Sequence, residues 1–549
     1  MSEARRGIKR IAANYGRLGS TLLIGLILVK VQFMWVGSEG FGLLVAIGAS
    51  VGLAAMLQDV MRHSMIRELG VVWHAAEAPD APDSAVAHFR RVYASSFILC
   101  GLVALLTAGV FVAFFFLLKE GIWPFHEIPD EFRNGGLWIL TCEGMSITML
   151  VLLTPAYNMY VVTERFFESN LYFTLKRLAY LVSAIVLLLV LGSEQIELSL
   201  KLYGVCAASM ALCLLFFAVG RIMVIDARLR PKLMSADGSA LREVLGTFGW
   251  NSTVVTAMNL HERIGAWIML GVFGLQGSAI FGLALRLVSY VRMGTLGMTF
   301  GLDAVSARLV STKEDDSLQV IAKHSTRLHG YVAIPCAITI FFLAEPLLRL
   351  WVGGELENEN VNFIPATVVL VRIMVIGLMS RAIADGWMKL LYGAGHIKRY
   401  APLILAGGIA NPILAFLLIY TLPGSTEALS GQIHWTENWT GPAWGFGIAF
   451  LVVHLLLLPA VAAPRFGTTW LRLLGLLGRP LLLSLIASLI YLVVLLWVGP
   501  APWPVLIGAC AGFGVIYGLL GFMFGLESPE RRRALQLIHS MLKRNHHAS

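Results

Sequence analysis

Apolar stretches of about 20 residues, the length a helix needs to cross a hydrocarbon core, follow one another along the whole chain with only short polar breaks. Inside a bilayer the backbone finds no water, so such a stretch must satisfy its own N–H and C=O groups and is predicted as a helix. Fourteen spans are expected: Leu18 to Trp35, Phe41 to Met61, Val92 to Leu118, Gly135 to Val162, Leu178 to Leu191, Ser199 to Gly220, Phe248 to Gly271, Ala279 to Arg308, Leu328 to Val352, Ile364 to Leu391, Ala401 to Thr421, Trp444 to Ala462, Pro480 to Val498 and Trp503 to Leu526. Composition agrees, with 57% of residues hydrophobic, 14% charged and a mean hydropathy of +0.76, against roughly 25% charged in a soluble domain. The expected fold class is an all-α polytopic membrane protein with about 14 transmembrane helices.

The charges between spans orient them. Outside the spans, every Lys and Arg except Lys119 and Arg133 falls in one alternate set of connecting segments, which the positive-inside rule places in the cytoplasm together with both termini. Nine of the 14 tryptophans, among them Trp35, Trp123, Trp138, Trp351, Trp444 and Trp503, gather at the opposite ends, as an interfacial belt does. This asymmetry accounts for the net charge of +9, so no nucleic-acid partner is expected. The first span follows Arg5, Arg6, Lys9, Arg10 and Arg17 without a small-residue cleavage pattern before Gly37, and is expected to stay as an anchor. The 6 cysteines lie in predicted spans without metal-type spacing, and no Walker-type glycine-lysine motif occurs, so neither metal nor nucleotide cofactor is expected. A tail from Pro529 to Asn545 sets Leu535, Ile538, Met541 and Leu542 against Arg531, Arg532, Arg533, Lys543 and Arg544, the pattern of an interfacial helix.

An internal repeat is visible. Asn14 and Gly37-Ser38-Glu39-Gly40 recur, shifted by 237 positions, as Asn251 and Gly274-Leu275-Gln276-Gly277. Six spans separate the copies, so both keep one membrane orientation, as parallel repeats do. The expected organisation is an N-lobe over 1–228, a C-lobe over 229–463 joined by a basic linker, two further helices over 464–526 and the cytoplasmic tail over 527–549.

A charged side chain at the bilayer centre costs about 3 kcal/mol on insertion scales, so it normally faces a bundle interior or a wet cavity and marks a substrate or ion path. From Asn259 to Asp303 the apolar sequence carries His261, Glu262, Arg263, Arg286, Arg292 and Asp303; span ten adds Arg372, Arg381, Asp385 and Lys389, and span four adds Glu143. These point to a transporter with a basic lumen. Arg286 and Arg292 share span eight with one distant acid, Asp303, and their excess charge calls for an external anion. Arg381, Asp385 and Lys389 are four apart and can pair among themselves, while Glu262 and Arg263 are adjacent. The candidate anion-binding residues are Lys30, Arg263, Arg286, Arg292, Arg372 and Arg381; Lys30, like Lys201 and Arg349, also stands where a side chain can snorkel. The candidate ion-coupling residues are Glu143, Glu262, Asp303 and Asp385, where Glu143 either takes a proton in apolar surroundings or pairs with a lumen arginine. His454 in span twelve reads as a hydrogen-bonded core histidine.

The six-plus-six-plus-two arrangement, Asn14-Tyr15-Gly16 before span one, Gly37-Ser38-Glu39-Gly40-Phe41-Gly42 at the first turn, Glu164-Arg165-Phe166 after span four and Gly393-Ala394-Gly395-His396-Ile397-Lys398 after span ten together resemble the polysaccharide-transport branch of the multidrug/oligosaccharidyl-lipid/polysaccharide exporter superfamily. The resemblance implies a non-enzymatic flippase of the bacterial inner membrane that moves a polyprenyl-pyrophosphate-linked oligosaccharide, with two lobes rocking around a central cavity. It also implies membrane lipid, a polysaccharide polymerase and chain-length proteins as partners. No local motif places the arginines of the related peptidoglycan-precursor flippases on this chain. The chemistry of the residues points the same way, because Arg and Lys neutralise a pyrophosphate and donate charge-assisted hydrogen bonds to it. Two alternatives stand beside this expectation. A cation-coupled multidrug exporter would use lumen carboxylates, and a membrane-bound polysaccharide polymerase or ligase would need longer outer segments than Lys119 to Asn134 and Leu422 to Ala443 provide.

Overall fold

The computed structural model describes residues 3–78, 80–192, 195–246, 249–299, 301–354, 362–421, 438–498, 502–525 and 531. All regular structure among them is helical: α1 Glu3–Glu77, α2 Asp83–Lys119, α3 Asp130–Leu152, α4 Thr154–Val162, α5 Phe166–Leu191, α6 Ile196–Ile225, α7 Gly238–Gly246, α8 Gly249–Leu296, α9 Leu302–Ser311, α10 Asp315–Leu348, α11 Phe363–Gly393, α12 Ile397–Thr421, α13 Gly441–Phe450, α14 Leu458–Ala462, α15 Trp470–Gly475, α16 Gly478–Ala487, α17 Leu489–Val498 and α18 Trp503–Leu520. Among the described residues, 12 helical stretches are long and apolar enough to cross a membrane. The chain is a multi-pass membrane protein.

Two of these stretches each hold two predicted spans. In α1 the backbone breaks at Gly37 (φ 68°, ψ −170°), and the rings of Phe33 and Phe41 lie 4.2 Å apart. Eight residues of straight helix would separate them by about 12 Å, so the chain doubles back. In α8 the break is at Gly274 (φ 67°, ψ −164°). A Cβ built on Gly277 would stand 3.0 Å from the carbonyl oxygen of Met269, eight residues earlier, which again requires a reversal. This backbone region is essentially reserved for glycine, which explains why both turns carry one. The two reversals touch: Ser278 Oγ donates to the carbonyl oxygen of Gly42 at 3.1 Å.

Several predicted boundaries move, three of them with consequences for the residues singled out above or for span continuity. Span four is interrupted at Leu153, because Pro155, at the start of α4, cannot donate the backbone hydrogen bond that would continue α3. Span eight stops at Leu296; a 3-10 turn over Gly297–Thr299 and the left-handed Gly301 (φ 82°) follow, so Asp303 lies in the first turn of a separate helix, α9, and not inside a span. Span five begins at Phe166, so Lys176 and Arg177, which look like loop charges in the sequence, belong to a helix of membrane length. The acidic turn Glu355 to Glu359, most of the loop Leu422 to Ala443, and the tail Pro529 to Asn545 apart from Arg531 lie outside the described residues.

The chain forms two compact units. One comprises Met1–Leu287, Val352–Gly377 and Gly395–Val453, the other Val288–Trp351, Leu378–Ala394 and His454–Ser549. In the first, large aromatics fill the space between helices: Trp73 meets Phe89 edge-on at 5.1 Å, Phe89 stacks on Tyr93 at 5.4 Å, and Tyr93 meets Phe97 edge-on at 5.2 Å. The basic segment after α6 is pinned to this unit. Arg228 holds the Asp226 carboxylate with Nη2 at 2.7 Å, lies over the Trp73 ring at 4.7 Å, and donates to the carbonyl oxygen of Ala76, while Tyr93 Oη donates to that of Leu229. In the second unit Tyr491, Phe513 and Tyr517 form a stack with centroid spacings of 4.9 and 5.8 Å.

Candidate functional site

In the first unit, Asn259, Arg263 and Trp267 stand one helical turn apart on α8 and face the second arm of α1. Arg263 Nε donates to Asn259 Oδ1 at 3.2 Å and Nη1 to the carbonyl oxygen of Gly48 at 3.4 Å, while Trp267 Nε1 donates to Ser50 Oγ at 3.0 Å. The guanidinium covers Gly52, where a built Cβ would collide with Nη1. Helical spacing turns His261 to another face: its ring sits 3.7 Å from that of Phe450 and its carbonyl oxygen accepts from Asn411 Nδ2 at 2.9 Å. His261 is part of an apolar wall. Glu262 is half-buried beside it.

The same unit buries a second polar group. Glu143 on α3 is 9% exposed and hydrogen-bonds the Tyr180 hydroxyl of α5, with the Lys176 ammonium of the same helix in electrostatic range. Tyr203 on α6 adjoins them, packs on Trp35 at 5.1 Å and accepts from Gln32 Nε2 at 3.5 Å. The charge of Arg286 acts on the Tyr203 phenol, so this arginine and Glu143 belong to one neighbourhood assembled from five helices. Lys30 is half-buried on α1 and Arg372 is exposed on α11.

The second unit brings the remaining charges together. Asp385 on α11 receives Arg292 Nε of α8 on Oδ2 at 2.9 Å and Arg381 Nη1, one turn earlier on α11, on Oδ1 at 3.0 Å. The side chains of Arg381 and Asp385 are 5% and 10% exposed, that of Arg292 28%. Two cations therefore share one carboxylate. Arg381 Nη1 also approaches Met388 Sδ at 3.2 Å. Lys389 and Asp303 pair with each other at 3.8 Å in a half-exposed position away from this trio. Asp303 is thus a peripheral ion-pair partner and not the intramembrane acid that its place in span eight suggests.

Of the ten candidates in the sequence, Arg292, Arg381 and Asp385 form one cluster, Arg286 and Glu143 share another, and Arg263 lies on Gly52. Sequence reasoning missed Lys176, Tyr180, Tyr203 and Gln32, whose polar ends converge only through helix packing. It also missed His329, near the start of predicted span nine, which is 1% exposed. A signal for it existed, since Ser325 precedes it by one helical turn. Lys201 and Arg349 pair with acids on their own helices, Glu197 at 2.6 Å and Glu345 at 3.2 Å.

Comparison with solved structures shows what this all-helical fold is similar to. The fold resembles that of "Lipid II flippase MurJ, inward closed conformation" with a TM-score of 0.66 at 13% identity, covering 94% of this chain and 98% of that one. It resembles an inward-facing multidrug resistance MATE family transporter of the MOP superfamily with a TM-score of 0.61 at 14% identity, covering 82% and 96%. It also resembles a MOP superfamily transporter from Pyrococcus furiosus, described as having a binding pocket of reversed polarity, with a TM-score of 0.51 at 13% identity and coverage of 82% and 96%. The MatE family profile matches residues 256–417, which run from α8 through α12. No curated protein sequence matches the chain.

Proposed function

We propose that the chain is a flippase that moves a polyprenyl-pyrophosphate-linked oligosaccharide across the inner membrane by alternating access of two lobes, with both termini cytoplasmic. The observation that carries this reading is the sharing of Asp385 by Arg292 and Arg381. A guanidinium that shares its carboxylate with a second one suits a pyrophosphate, which accepts paired N–H donors from it. Arg263, Arg286, Arg372 and Lys30 are the further anion-binding candidates, and Glu143, Glu262 and Asp385 are the remaining ion-coupling candidates. Arg292 is the more exposed of the pair on Asp385, which suits it to reach a ligand. The test is complementation of surface polysaccharide in cells lacking the host's own flippase, with Arg286→Ala and Arg292→Ala combined and protein level read alongside. Loss of polysaccharide at normal protein level supports the reading. Full polysaccharide removes it.

A second reading, a cation-coupled multidrug exporter, is favoured by the MatE match over residues 256–417. It needs a carboxylate available to a cation, whereas Asp385 is held by two arginines and Glu143 lies beside Lys176. Efflux of a cationic dye that survives the double substitution would favour this reading.

A further inference from the structure

His329 on α10 stands beside the arginine pair and takes no part in the contacts described above. Its Nδ1 lies 2.8 Å from the carbonyl oxygen of Ser325, one turn earlier, and 3.3 Å from Ser325 Oγ. A carbonyl only accepts, so Nδ1 carries the hydrogen and Nε2 of the neutral ring presents a lone pair. Nε2 is buried and, among the described residues, meets no hydrogen-bond partner. Buried polar atoms are nearly always satisfied, so one that is not calls for a reason.

The packing places this ring against the cluster. A Cβ on Gly386 would come 3.0 Å from His329 Cε1 and 2.7 Å from Ser325 Oγ, so the glycine next to Asp385 is what lets α10 approach α11 this closely. Trp387 Nε1 donates to Thr326 Oγ1 at 2.7 Å and fixes the register of the two helices. Asp385 and His329 act on each other electrostatically. The other charged groups on the surrounding elements, among the described residues, are these. Arg381 and Arg292 are engaged by Asp385; on α9, Asp303 pairs with Lys389 and Arg308 is exposed; Leu477, just before α16, and Pro480 on it reach Gly330 while Arg479 is exposed; on the 3-10 turn Ala463–Phe466, Arg465 is exposed; α18 carries no charged residue. On α10 itself, Arg327 donates to the carbonyl oxygen of Gly525 at 3.0 Å, His324 is exposed and Lys323 is half-buried.

We propose that His329 is a proton-binding site linked to the anion site, its charge setting how firmly Asp385 holds Arg292. The inference rests on the pyrophosphate reading above. The step is a single protonation: the Nε2 lone pair takes one proton, an N–H bond forms, and the charge of the four groups rises from one positive to two. Asp385 then faces three cations. Arg292, the most exposed of them, is the one most easily drawn from the carboxylate toward an anionic ligand. Proton and anion therefore strengthen each other's binding, as linkage demands, and histidine ordinarily titrates in the range where this matters.

The test is titration calorimetry of the full chain in nanodiscs with farnesyl pyrophosphate, from pH 8 to pH 6, in buffers of different ionisation enthalpy. The wild-type chain is expected to take up a proton on binding beyond that due to the probe itself. Its affinity should rise on acidification about tenfold more than that of His329→Gln, a coupling within the usual range for linked sites. Because both proteins see the same probe, the probe's own titration cancels. Proton uptake by the wild-type chain needs no variant, and His329→Asn replaces His329→Gln should the latter fold poorly. Binding without extra uptake, or an unchanged pH dependence in the variant, overturns the proton site and leaves the pyrophosphate reading standing. Failure of farnesyl pyrophosphate to bind at any pH overturns both.

Discussion

Gly37 and Gly274, 237 positions apart, adopt the same backbone conformation, with φ/ψ of 68°/−170° and 67°/−164°. The likeness extends to their surroundings, since a Cβ on Gly40 would meet Val36 Cβ at 2.5 Å and one on Gly277 would meet Phe273 Cβ at 2.5 Å. A repeated sequence thus builds the same helical reversal twice. Because this conformation is nearly closed to other residues, Gly37→Ala and Gly274→Ala should each lower stability by about 1–3 kcal/mol, and by similar amounts. Thermal unfolding of the detergent-solubilised variants measures this, and a neutral result at either position would contradict the equivalence.

The shared carboxylate predicts an order of stabilities. Removing Asp385 takes the shared carboxylate from two guanidinium groups at once, and breaking a buried ion pair costs about 3–5 kcal/mol, so Asp385→Ala should fall in that range. Arg381→Ala leaves Asp385 still bound to Arg292 and should cost less. Arg292→Ala, the more exposed partner, should cost least and reduce transport far more than stability. Denaturation of the three variants beside a transport assay checks the ranking, which fails if Arg292→Ala is as damaging to the fold as Asp385→Ala.

Gly52 supplies space for Arg263 and not for the fold. Its built Cβ collides with the guanidinium, the movable end of a flexible side chain, so Gly52→Ala should cost no more than about 1 kcal/mol, the net worth of a displaced hydrogen bond. It should nonetheless displace Arg263 from Gly48 and Asn259 and reproduce the transport defect of Arg263→Ala. Normal transport by Gly52→Ala together with a defective Arg263→Ala would separate the two and refute the packing argument.

Asp226, beyond the end of α6, gives a pH signature. The hydrogen bonds from Arg228, the largest influence, hold its carboxyl below the usual range, against the opposing effect of partial burial. A folded-state value below the unfolded one means that the unfolded chain binds more protons in between, so the stabilisation is present above about pH 4 and is lost as pH falls through the folded value. Asp226→Asn should therefore destabilise the chain at pH 7 and flatten its acid unfolding below pH 4. Identical acid-unfolding midpoints for variant and wild type would show the pair to be of no consequence for the fold.

Much was legible in the chain itself. Hydropathy alone marks helices long enough to cross a membrane, because a spanning segment is constrained by one length and one hydrogen-bonding pattern, and the repeated glycine motif marks both reversals. Span ends were less legible where charge and helix disagree: Lys176 looks like a loop residue yet lies on α5, because burial beside Glu143 supplies the partner that the linear sequence does not display. Asp303 shows the converse, an acid drawn out of its apparent span by the turn at Gly301. Periodicity within one helix could pair Arg381 with Asp385, four residues apart. Only the tertiary structure could bring Arg292 from 93 residues away to the same carboxylate and set His329 against it, since those contacts depend on which faces of α8, α10 and α11 meet, and that is decided by side-chain packing between helices rather than by the pattern along any one of them.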